Sequence, residues 1–392
     1  MTGIGHAINV EDVLHIMNHE IIRYDSVYND QICELEKEIW SPDLNVNKSY
    51  LRWKYFDNPF TATPNIYIVL LEGKVVAVRG MYETKWQLGN SADGFTALCA
   101  GDTVIHPEYR NKGIYPDFAK FIKNDLYELG YRYLFSFSAG PITLINNMAI
   151  GWKSIGRIRT MSIESYPRTI VRKLMGERIL NKLIINTTAA KFLIRLVNII
   201  GYKSYNKLFE YHEKIHPHLR IEKNPIPDEM AVLVGKLAGG SKLVLTRDEK
   251  FFKWRYNNPL SKYIFLYWYD KELKGYLTAQ TPLYKLGFMD KFNIIELEGV
   301  NSIVKMDLLK SMISLLDSRS ISVWSNMLNE NCRKFLALNG FKESSLTGSA
   351  SEYTPTILVM MTNGPTNVIE YCGTNLLDMN NWDLKMMYSD AY

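Results

Sequence analysis

The chain has 392 residues, more than a single hydrophobic core usually holds, so its length predicts two domains. With 47% hydrophobic and 22% charged residues its composition is globular, and the mild net charge of +5 permits an anionic ligand without requiring DNA or RNA. The four cysteines include no C-x-x-C pair, and no apolar run approaches the roughly 20 residues of a membrane span. We therefore expect no disulfide framework, no zinc site and a soluble cytoplasmic protein.

The first 165 residues alternate between helical and strand patterns. Ile32, Leu35 and Ile39 recur at helical spacing, whereas Glu72 and Gly73 join two apolar runs as a hairpin turn does. In chain order, the predicted elements are a strand at 20–24, helices at 27–40 and 47–56, strands at 66–71, 74–85 and 95–105, a helix at 117–129, a strand at 133–137, a helix at 142–150 and a final strand at 155–165.

A basic turn between a strand and a helix is the strongest functional signal. The strand ends at Ile105, the turn runs from Arg110 to Gly113, and Pro116 lies in the first turn of the next helix, where its missing N–H is not needed. Such a corner directs free backbone N–H groups and the positive end of the helix dipole at one point. Because Gly113 also allows a ligand to come close, the sequence predicts a phosphate site here.

These residues resemble a known family. The run from Arg110 to Tyr115 is similar to the Arg/Gln-x-x-Gly-x-Gly/Ala pyrophosphate loop of the GNAT superfamily of N-acetyltransferases, with Tyr115 in place of the usual glycine or alanine. The run from Val104 to Arg110 is similar to the end of that family's fourth strand. The order of predicted elements over 20–165 also resembles the family, and Gly151-Trp152 stands where its Gly-Phe usually follows the last helix.

The resemblance implies acyl-coenzyme A, most often acetyl-CoA, as co-substrate, and no metal. Backbone N–H groups from Asn111 to Tyr115 would hold its pyrophosphate. The strand backbone around Val104 and Ile105 would pair with the pantetheine and direct one N–H at the thioester oxygen, where charge develops during acyl transfer. The implied coenzyme-binding residues are Val104, Ile105, Arg110, Asn111, Lys112, Gly113, Ile114, Tyr115 and Asn146.

Three residues are candidates for catalysis. An alkyl amine with a pKa of about 10 is mostly protonated at neutral pH, so a base helps its acylation. Asp102 lies two residues before Val104, hence on the same strand face, and is the first candidate; its alternative role is an ion pair with a nearby Lys or Arg. Glu83 is the second candidate, or else a solvated carboxylate. Asn147 occupies the position where the family often has a proton-donating tyrosine, although an amide only hydrogen-bonds.

The middle of the chain has a different character. Residues 166–204 carry many Lys and Arg residues against the single acid Glu177, with apolar residues between them. They predict one or two basic amphipathic helices. Two interpretations stay open: a connector with a solvated basic face, or a surface that meets anionic lipid or a phosphorylated substrate.

A second copy of the first pattern follows. The run 252–259 echoes 52–59, and later segments repeat the strands and the closing helix, but 299–302 contain no Arg-x-x-Gly turn. We therefore predict an α+β fold of two GNAT-like lobes, each a mixed, mostly antiparallel sheet flanked by helices, with the second lobe lacking a coenzyme site. The predicted segments are a lobe at 1–165, the connector at 166–204, a lobe at 205–362 and a tail at 363–392, whose residues Trp382, Leu384 and Met387 should pack against the body.

The leading functional hypothesis is an acyl-CoA-dependent N-acyltransferase, acetyl being the first choice of acyl group, that transfers directly to a small amine such as an amino sugar. One alternative is a Fem-type transferase that uses aminoacyl-tRNA, although an intact pyrophosphate loop argues against RNA. The other is a non-catalytic acyl-CoA-binding protein. We expect no DNA partner, and peripheral membrane contact would involve the basic connector.

Overall fold

The computed structural model describes residues 19–164, 209, 217–283, 291–316, 319–344, 355–363 and 368–390. The predicted connector at 166–204 lies outside these residues. Within them, two mostly antiparallel sheets are flanked by helices, which is the α+β architecture predicted from the sequence. In this part of the chain no helix has the length and apolar character to cross a membrane.

The helices come in two sets, one beside each sheet. At the start of two of these helices an aspartate caps the first turn: the side chain of Asp43 accepts from the Asn45 N–H, and that of Asp248 accepts from the Phe251 N–H. Short polar residues are favoured at such positions. The helices are α1 (Asn29–Leu35), α2 (Leu44–Tyr55), α3 (Ile114–Glu128), α4 (Pro141–Ala149), α5 (Pro227–Leu237), α6 (Glu249–Arg255), α7 (Ser302–Leu315) and α8 (Glu330–Leu338).

The first sheet is built mainly from the N-terminal half. Its strands are β1 (Glu20–Arg23), β2 (Asn65–Leu71), β3 (Lys74–Leu88), β4 (Gly94–Ile105), β5 (Tyr133–Ala139), β6 (Lys153–Arg157), β9 (Leu243–Leu245) and β15 (Thr356–Met361). The order is β1-β2-β3-β4-β5-β15-β6, with β9 added to β3. Only β4 and β5 are parallel among these neighbours, since a helix connects them.

The second sheet repeats this plan. Its strands are β7 (Thr160–Ile163), β8 (Leu219–Glu222), β10 (Ser261–Asp270), β11 (Glu272–Pro282), β12 (Lys291–Gly299), β13 (Ser320–Trp324) and β14 (Lys342–Glu343). The order is β14-β7-β13-β12-β11-β10-β8, and β12 and β13 form its parallel pair. A short hairpin, β16 (Glu370–Tyr371) and β17 (Thr374–Asn375), precedes the last residues.

The two halves of the chain exchange strands. Strand β15 comes from the C-terminal half but lies between β5 and β6, where Leu358 faces Ser136 on one side and Ser154 on the other. Strand β7 follows β6 in the chain yet pairs with β13 of the second sheet. The predicted single strand at 155–165 is therefore wrong: the Ile158 N–H bonds to the Pro355 carbonyl at 3.0 Å, and the chain changes sheets there. Sheet membership thus crosses the predicted segments 1–165 and 205–362.

A reciprocal tryptophan pair joins the lobes. Trp53 of α2 and Trp254 of α6 stack with ring centroids 5.1 Å apart, and each indole N–H donates to the other's backbone carbonyl at 2.7 Å. These are the tryptophans of the repeated runs 52–59 and 252–259. Because buried indoles keep their hydrogen bonds here, the pair fixes how the two repeats face each other.

The strand exchange makes a prediction about stability. Leu358→Ala should lower the free energy of unfolding by about 2–5 kcal/mol, because Leu358 is fully buried in β15. Although residue 358 lies in the C-terminal half, hydrogen exchange should accelerate in β5 and β6 of the first sheet. Val323→Ala, in the buried β13, is the matched control and should accelerate exchange in β12 and β7. If Leu358→Ala accelerated hydrogen exchange only in the second sheet, this would contradict the placement of β15 in the first sheet.

Candidate functional site

The two parallel strands of the first sheet separate at their C-terminal ends. Strands β4 and β5 pair only at Ala97–Tyr133, Leu98–Leu134 and Cys99–Phe135. Beyond this point β4 continues to Ile105 and β5 to Ala139 without further ladder pairs between them. We call the space between 100–105 and 136–139 the strand gap. Its β4 side is a free strand edge, which offers backbone N–H and C=O groups to an extended ligand.

A bulge bends β4 at the gap. Between the pairs Gly80–Gly101 and Val78–Val104, β3 has one residue and β4 has two. Asp102, one of the two, has φ 40°, a left-handed conformation that non-glycine residues adopt uncommonly. The extra residue turns the β4 backbone at the position where the sequence predicts an oxyanion donor.

The predicted corner between strand and helix is present. After β4, a short 3₁₀ helix (Pro107–Tyr109) leads through Asn111 at φ 62° and Gly113 at φ 78° into α3. Gly113 is the N-cap of α3 and no side chain caps the helix. A Cβ added at Gly113 would meet nothing within 4 Å, so the corner is open. The first turn of α3 is thus uncapped and accessible, as the predicted phosphate site requires.

The basic residues of the turn are partly engaged by the protein. Arg110 donates from Nε to the Ile105 carbonyl at 2.8 Å and from Nη2 to Glu38 at 3.1 Å. The Lys112 ammonium lies 5.2 Å from the Tyr109 ring centroid. Both residues are exposed, so their charges add to the positive field at the corner without a fixed contact to it.

Tyr115 links the helix after β4 to the helix after β5. Its hydroxyl accepts from Arg79 Nη1 and donates to Asn147 Oδ1, each at 2.5 Å. The structure therefore brings Tyr115 and Asn147 together, whereas Asn146 lies on the exposed side of α4. These two contacts hold the large side chain of Tyr115 between Arg79 of β3 and Asn147 of α4.

Three buried N–H donors near this link have no partner among the described residues: Arg79 Nε, Asn147 Nδ2 and Trp152 Nε1. A cavity of about 10 Å³ touches Arg79 and Trp152, which is room for one water molecule that would accept from both. Asn147 does not line that cavity. Its amide N–H is thus a buried donor that Tyr115 holds in place and that has no partner among the described residues.

A buried ammonium organises the other side of the gap. Lys54 of α2 is 1% exposed, and its Nζ lies 2.9 Å from Asp102 and 2.8 Å from Asp390. The rings of Trp40, Tyr50, Tyr55 and Tyr82 surround it at 5.2–5.6 Å. Burial alone would lower the pKa of Lys54, but the two carboxylates outweigh it and raise the pKa above its ordinary value.

Asp102 is held by this centre. Its carboxylate accepts from Lys54, from Trp40 Nε1 at 2.8 Å and from the Tyr55 hydroxyl. The alternative considered from the sequence, an ion pair with a nearby lysine, is what the structure contains. With three donors on its two oxygens, Asp102 is poorly placed to receive a further proton.

Glu83 lies outside the gap. It faces Leu98, where β4 and β5 are still paired, and accepts from Tyr131 at 2.7 Å on the α3 side of the sheet. Burial raises its pKa, but the structure does not bring it near Asp102, because the gap opens only after Cys99. Glu83 is therefore placed apart from the strand gap, and its role as a candidate base stays a prediction.

Sequence reasoning missed Lys54, Ser138 and Asp390. Asp390 accepts from Lys54 on one oxygen and from Ser138 of β5 on the other, at 3.0 Å, and so bridges the two sides of the gap. The burial of Trp382, Leu384 and Met387 confirms that the tail packs on the body, and this was the available signal. The pattern of apolar residues in the tail does not show that Asp390 contacts Lys54 and Ser138, which lie more than 250 residues earlier in the chain.

Comparison with solved structures identifies this architecture. The chain is similar to a GCN5-related N-acetyltransferase from Anabaena variabilis ATCC 29413, with TM-score 0.55 and 11% identity over 88% of this chain and 73% of that one. It is also similar to a tandem GNAT protein from the clavulanic acid biosynthesis pathway, with TM-score 0.51 and 11% identity over 89% of this chain and all of that one.

The fold is GNAT-like. A GCN5-related N-acetyltransferase from Kribbella flavida gives a comparable match, with TM-score 0.50 and 10% identity over 90% of this chain and 74% of that one. Searches against protein-family models and curated proteins find no match to the sequence. At these identities the similarity shows the tandem GNAT-like fold.

The second GNAT-like lobe differs at its corner. There the helix after β12 is α7, and Asn301 Oδ1 accepts from the N–H groups of Ile303 and Val304, both at 3.0 Å. In the first lobe Gly113 leaves the equivalent groups uncapped. A side-chain oxygen in this position satisfies the amides that a phosphate would need. The two corners thus differ in the groups on which the prediction of a single coenzyme site depends.

Glu36 beside this centre makes a pH-dependent prediction. It is fully buried, neither carboxyl oxygen has a partner among the described residues, and burial, with a smaller effect of Asp102, raises its pKa well above 4.5. The folded chain therefore binds a proton that the unfolded chain releases, so stability declines as pH rises above about 4.5. Glu36→Gln lacks this penalty and should be more stable than the native chain by about 1–3 kcal/mol at pH 8.

Urea unfolding at pH 4 to 8 measures this difference, which should shrink toward zero at the acid end. The control is Glu34→Gln, an exposed change two residues earlier in α1, whose effect should not vary with pH in this way. A constant difference between Glu36→Gln and the native chain would show that Glu36 is ionised in the fold.

Proposed function

We propose that the protein is an acyl-CoA-dependent N-acyltransferase with one working coenzyme site, in the first lobe. The observation that carries this proposal is the uncapped start of α3 at the end of the strand gap, where β4 has no further ladder pairs with β5. Anion site and free strand edge adjoin each other, which suits a ligand with a diphosphate at one end and an extended amide chain at the other. Acyl-coenzyme A has both.

In this proposal the coenzyme lies along the gap. The N–H groups from Asn111 to Tyr115 hold the pyrophosphate, and the free edge at Val104 and Ile105 pairs with the pantetheine. Asn147 Nδ2, fixed by the Tyr115 hydroxyl, donates a hydrogen bond to the ligand. Acetyl is our choice of acyl group.

Transfer is direct. The acceptor amine attacks the thioester carbon, the C–N bond forms as the C–S bond breaks, and a β4 backbone N–H at the bulge stabilises the charge on the carbonyl oxygen. The new amide nitrogen gives up one proton to solvent, and the leaving sulfur takes one to become a free thiol. We propose that the Tyr115 phenol donates the proton that the sulfur takes up. The Tyr115 hydroxyl contacts Asn147, and the family resemblance implies a proton donor at the position of Asn147. Tyr115 then recovers its proton from solvent.

Cys99 takes no part in this route. It is buried at the start of the gap, and burial raises the pKa of its thiol to about 12, so it is neutral and unreactive at physiological pH. Asp102 acts by keeping Lys54 and the bulge in place. The acyl group therefore passes to the amine without an acyl-enzyme.

The acceptor we propose is a small amine, with an amino sugar as first candidate. It would approach from the side of the gap that faces α2 and the second lobe, where carboxylates and aromatic rings cluster. The buried thiols Cys33, Cys99 and Cys332 suit a reducing cytoplasm. Contact with a membrane through 166–204 stays a separate proposal.

The coenzyme site is tested at Gly113. Gly113→Asp should weaken acetyl-CoA binding by at least about 100-fold, or 2.7 kcal/mol, because it sets a negative charge where the pyrophosphate binds. Gly113→Asn is the matched control, since asparagine has nearly the same shape, tolerates positive φ and is neutral; it should lose far less. Calorimetric titration with acetyl-CoA measures both. Equal affinities for the two variants would refute the assignment.

The proton donor is tested by Tyr115→Phe. Turnover, followed as thiol release with a panel of primary amines, should fall by about 10²–10⁴-fold, the usual contribution of a general acid. Acetyl-CoA affinity should change much less, since the ring remains. A native chain that binds acetyl-CoA but releases no thiol with any amine would favour a non-catalytic binding protein.

A further inference from the structure

The second lobe has its own strand gap. Strands β12 and β13 pair from Lys291–Ser320 to Ile294–Val323, and β12 then continues to Gly299 without further pairs to β13. This is the arrangement of β4 and β5 in the first lobe. The second gap, however, is covered by the protein's own last described residues, 384–390, which we call the C-terminal segment.

Contacts to both sides of the second gap hold the C-terminal segment. On the β12 side, Lys385 Nζ lies 3.1 Å from Glu298. On the β13 side, Asn326 Nδ2 donates to the Leu384 carbonyl at 2.7 Å, and the Met386 N–H donates to Met327 Sδ at 3.4 Å. Met386, Met387 and Tyr388 are buried. The segment is therefore seated on the gap as an integral part of the lobe.

The charges beneath the C-terminal segment are matched. Glu298 is buried between Lys385 and Arg247, whose Nη1 donates to it at 2.7 Å. Burial alone would raise the pKa of Glu298, but these cations lower it to about 2. A carboxylate that stays ionised in the interior needs both partners, so Lys385 is a specific anchor for the segment.

From this anchor the C-terminal segment crosses to the first lobe. Arg255 donates from Nε to the Met387 carbonyl at 3.1 Å and from Nη2 to the Ser389 carbonyl at 3.4 Å. Tyr82 of β3 donates to the Tyr388 carbonyl at 3.1 Å. The next residue, Asp390, reaches the first strand gap, where it joins Lys54 on the β4 side to Ser138 on the β5 side.

We infer that the second lobe holds the C-terminal segment and that Asp390 is a positioning residue of the first lobe, setting the width of the strand gap that receives the pantetheine and acyl group. This inference rests on the proposed function. Asp390 acts through Lys54 and Ser138: the carboxylate fixes one group on each side of the gap, beyond the last β4–β5 pair at Cys99–Phe135. One working site is thereby built from both lobes.

The experiment compares two ligands of different length. ADP probes the pyrophosphate loop alone, whereas acetyl-CoA also occupies the gap. Asp390→Asn keeps the side-chain shape but removes the charge that Lys54 requires, so acetyl-CoA affinity should fall at least 10-fold while ADP affinity stays within 2-fold. Asp390→Glu, which retains the charge, should recover part of the loss. Asp378→Asn is the control: the same change on an exposed residue of the tail, where asparagine still caps the local turn.

Two further variants cover the case in which Asp390→Asn fails to fold. Ser138→Ala removes only the β5 end of the bridge, and Glu298→Gln loosens the anchor in the second lobe. Each should reduce acetyl-CoA affinity selectively, and each should add little to Asp390→Asn in a double variant. Parallel losses of ADP and acetyl-CoA binding, or none, would overturn the inference. A native chain that binds neither ligand would instead overturn the proposed function.

Discussion

The first lobe depends on one buried ion pair. Lys54 carries its charge into the interior, which is unfavourable unless opposite charges and hydrogen bonds replace the lost water. Asp102 and Asp390 supply the charges, and the surrounding aromatic rings add cation–π attraction. Because Asp102 is the bulge residue of β4, the pair holds the bulge open. Because Asp390 belongs to the tail, the same ammonium also fixes the end of the chain.

This centre explains a constraint on the strand next to it. Gly101 precedes the bulge, and a Cβ built on it would lie 2.5 Å from Lys54 Nζ and 2.8 Å from Asp390 Oδ2. A side chain would therefore displace the ammonium or the carboxylate. Glycine is required here for space rather than for its conformation, a reason that a pattern of apolar residues cannot reveal.

The sequence was sufficient for the features that are local. The corner at 105–114 follows from a strand ending, positive-φ residues and proline in the first helical turn, and the repeated tryptophan runs followed from direct similarity. The strand exchange could not be predicted, because the sequence pattern of β7 or β15 does not show which of the two sheets the strand joins. Nor did the bridge at Lys54, since its partners Asp102 and Asp390 lie 48 and 336 residues away. The place of Glu83 relative to the strand gap could not be predicted for a related reason: the position of a residue within its strand does not show where the neighbouring strands separate.

The two lobes share a plan but use its gap differently, and hydrogen-bond satisfaction accounts for the difference. At the second corner Asn301 caps the helix, and the C-terminal segment covers the gap. Backbone groups that are already paired offer little to a ligand, because binding would only exchange one hydrogen bond for another. At the first corner Gly113 caps nothing and Asn147 retains a free amide donor. Groups left without a partner in this way gain more from a new hydrogen bond than groups that are already paired, so the first corner is the better suited of the two to a charged, extended ligand.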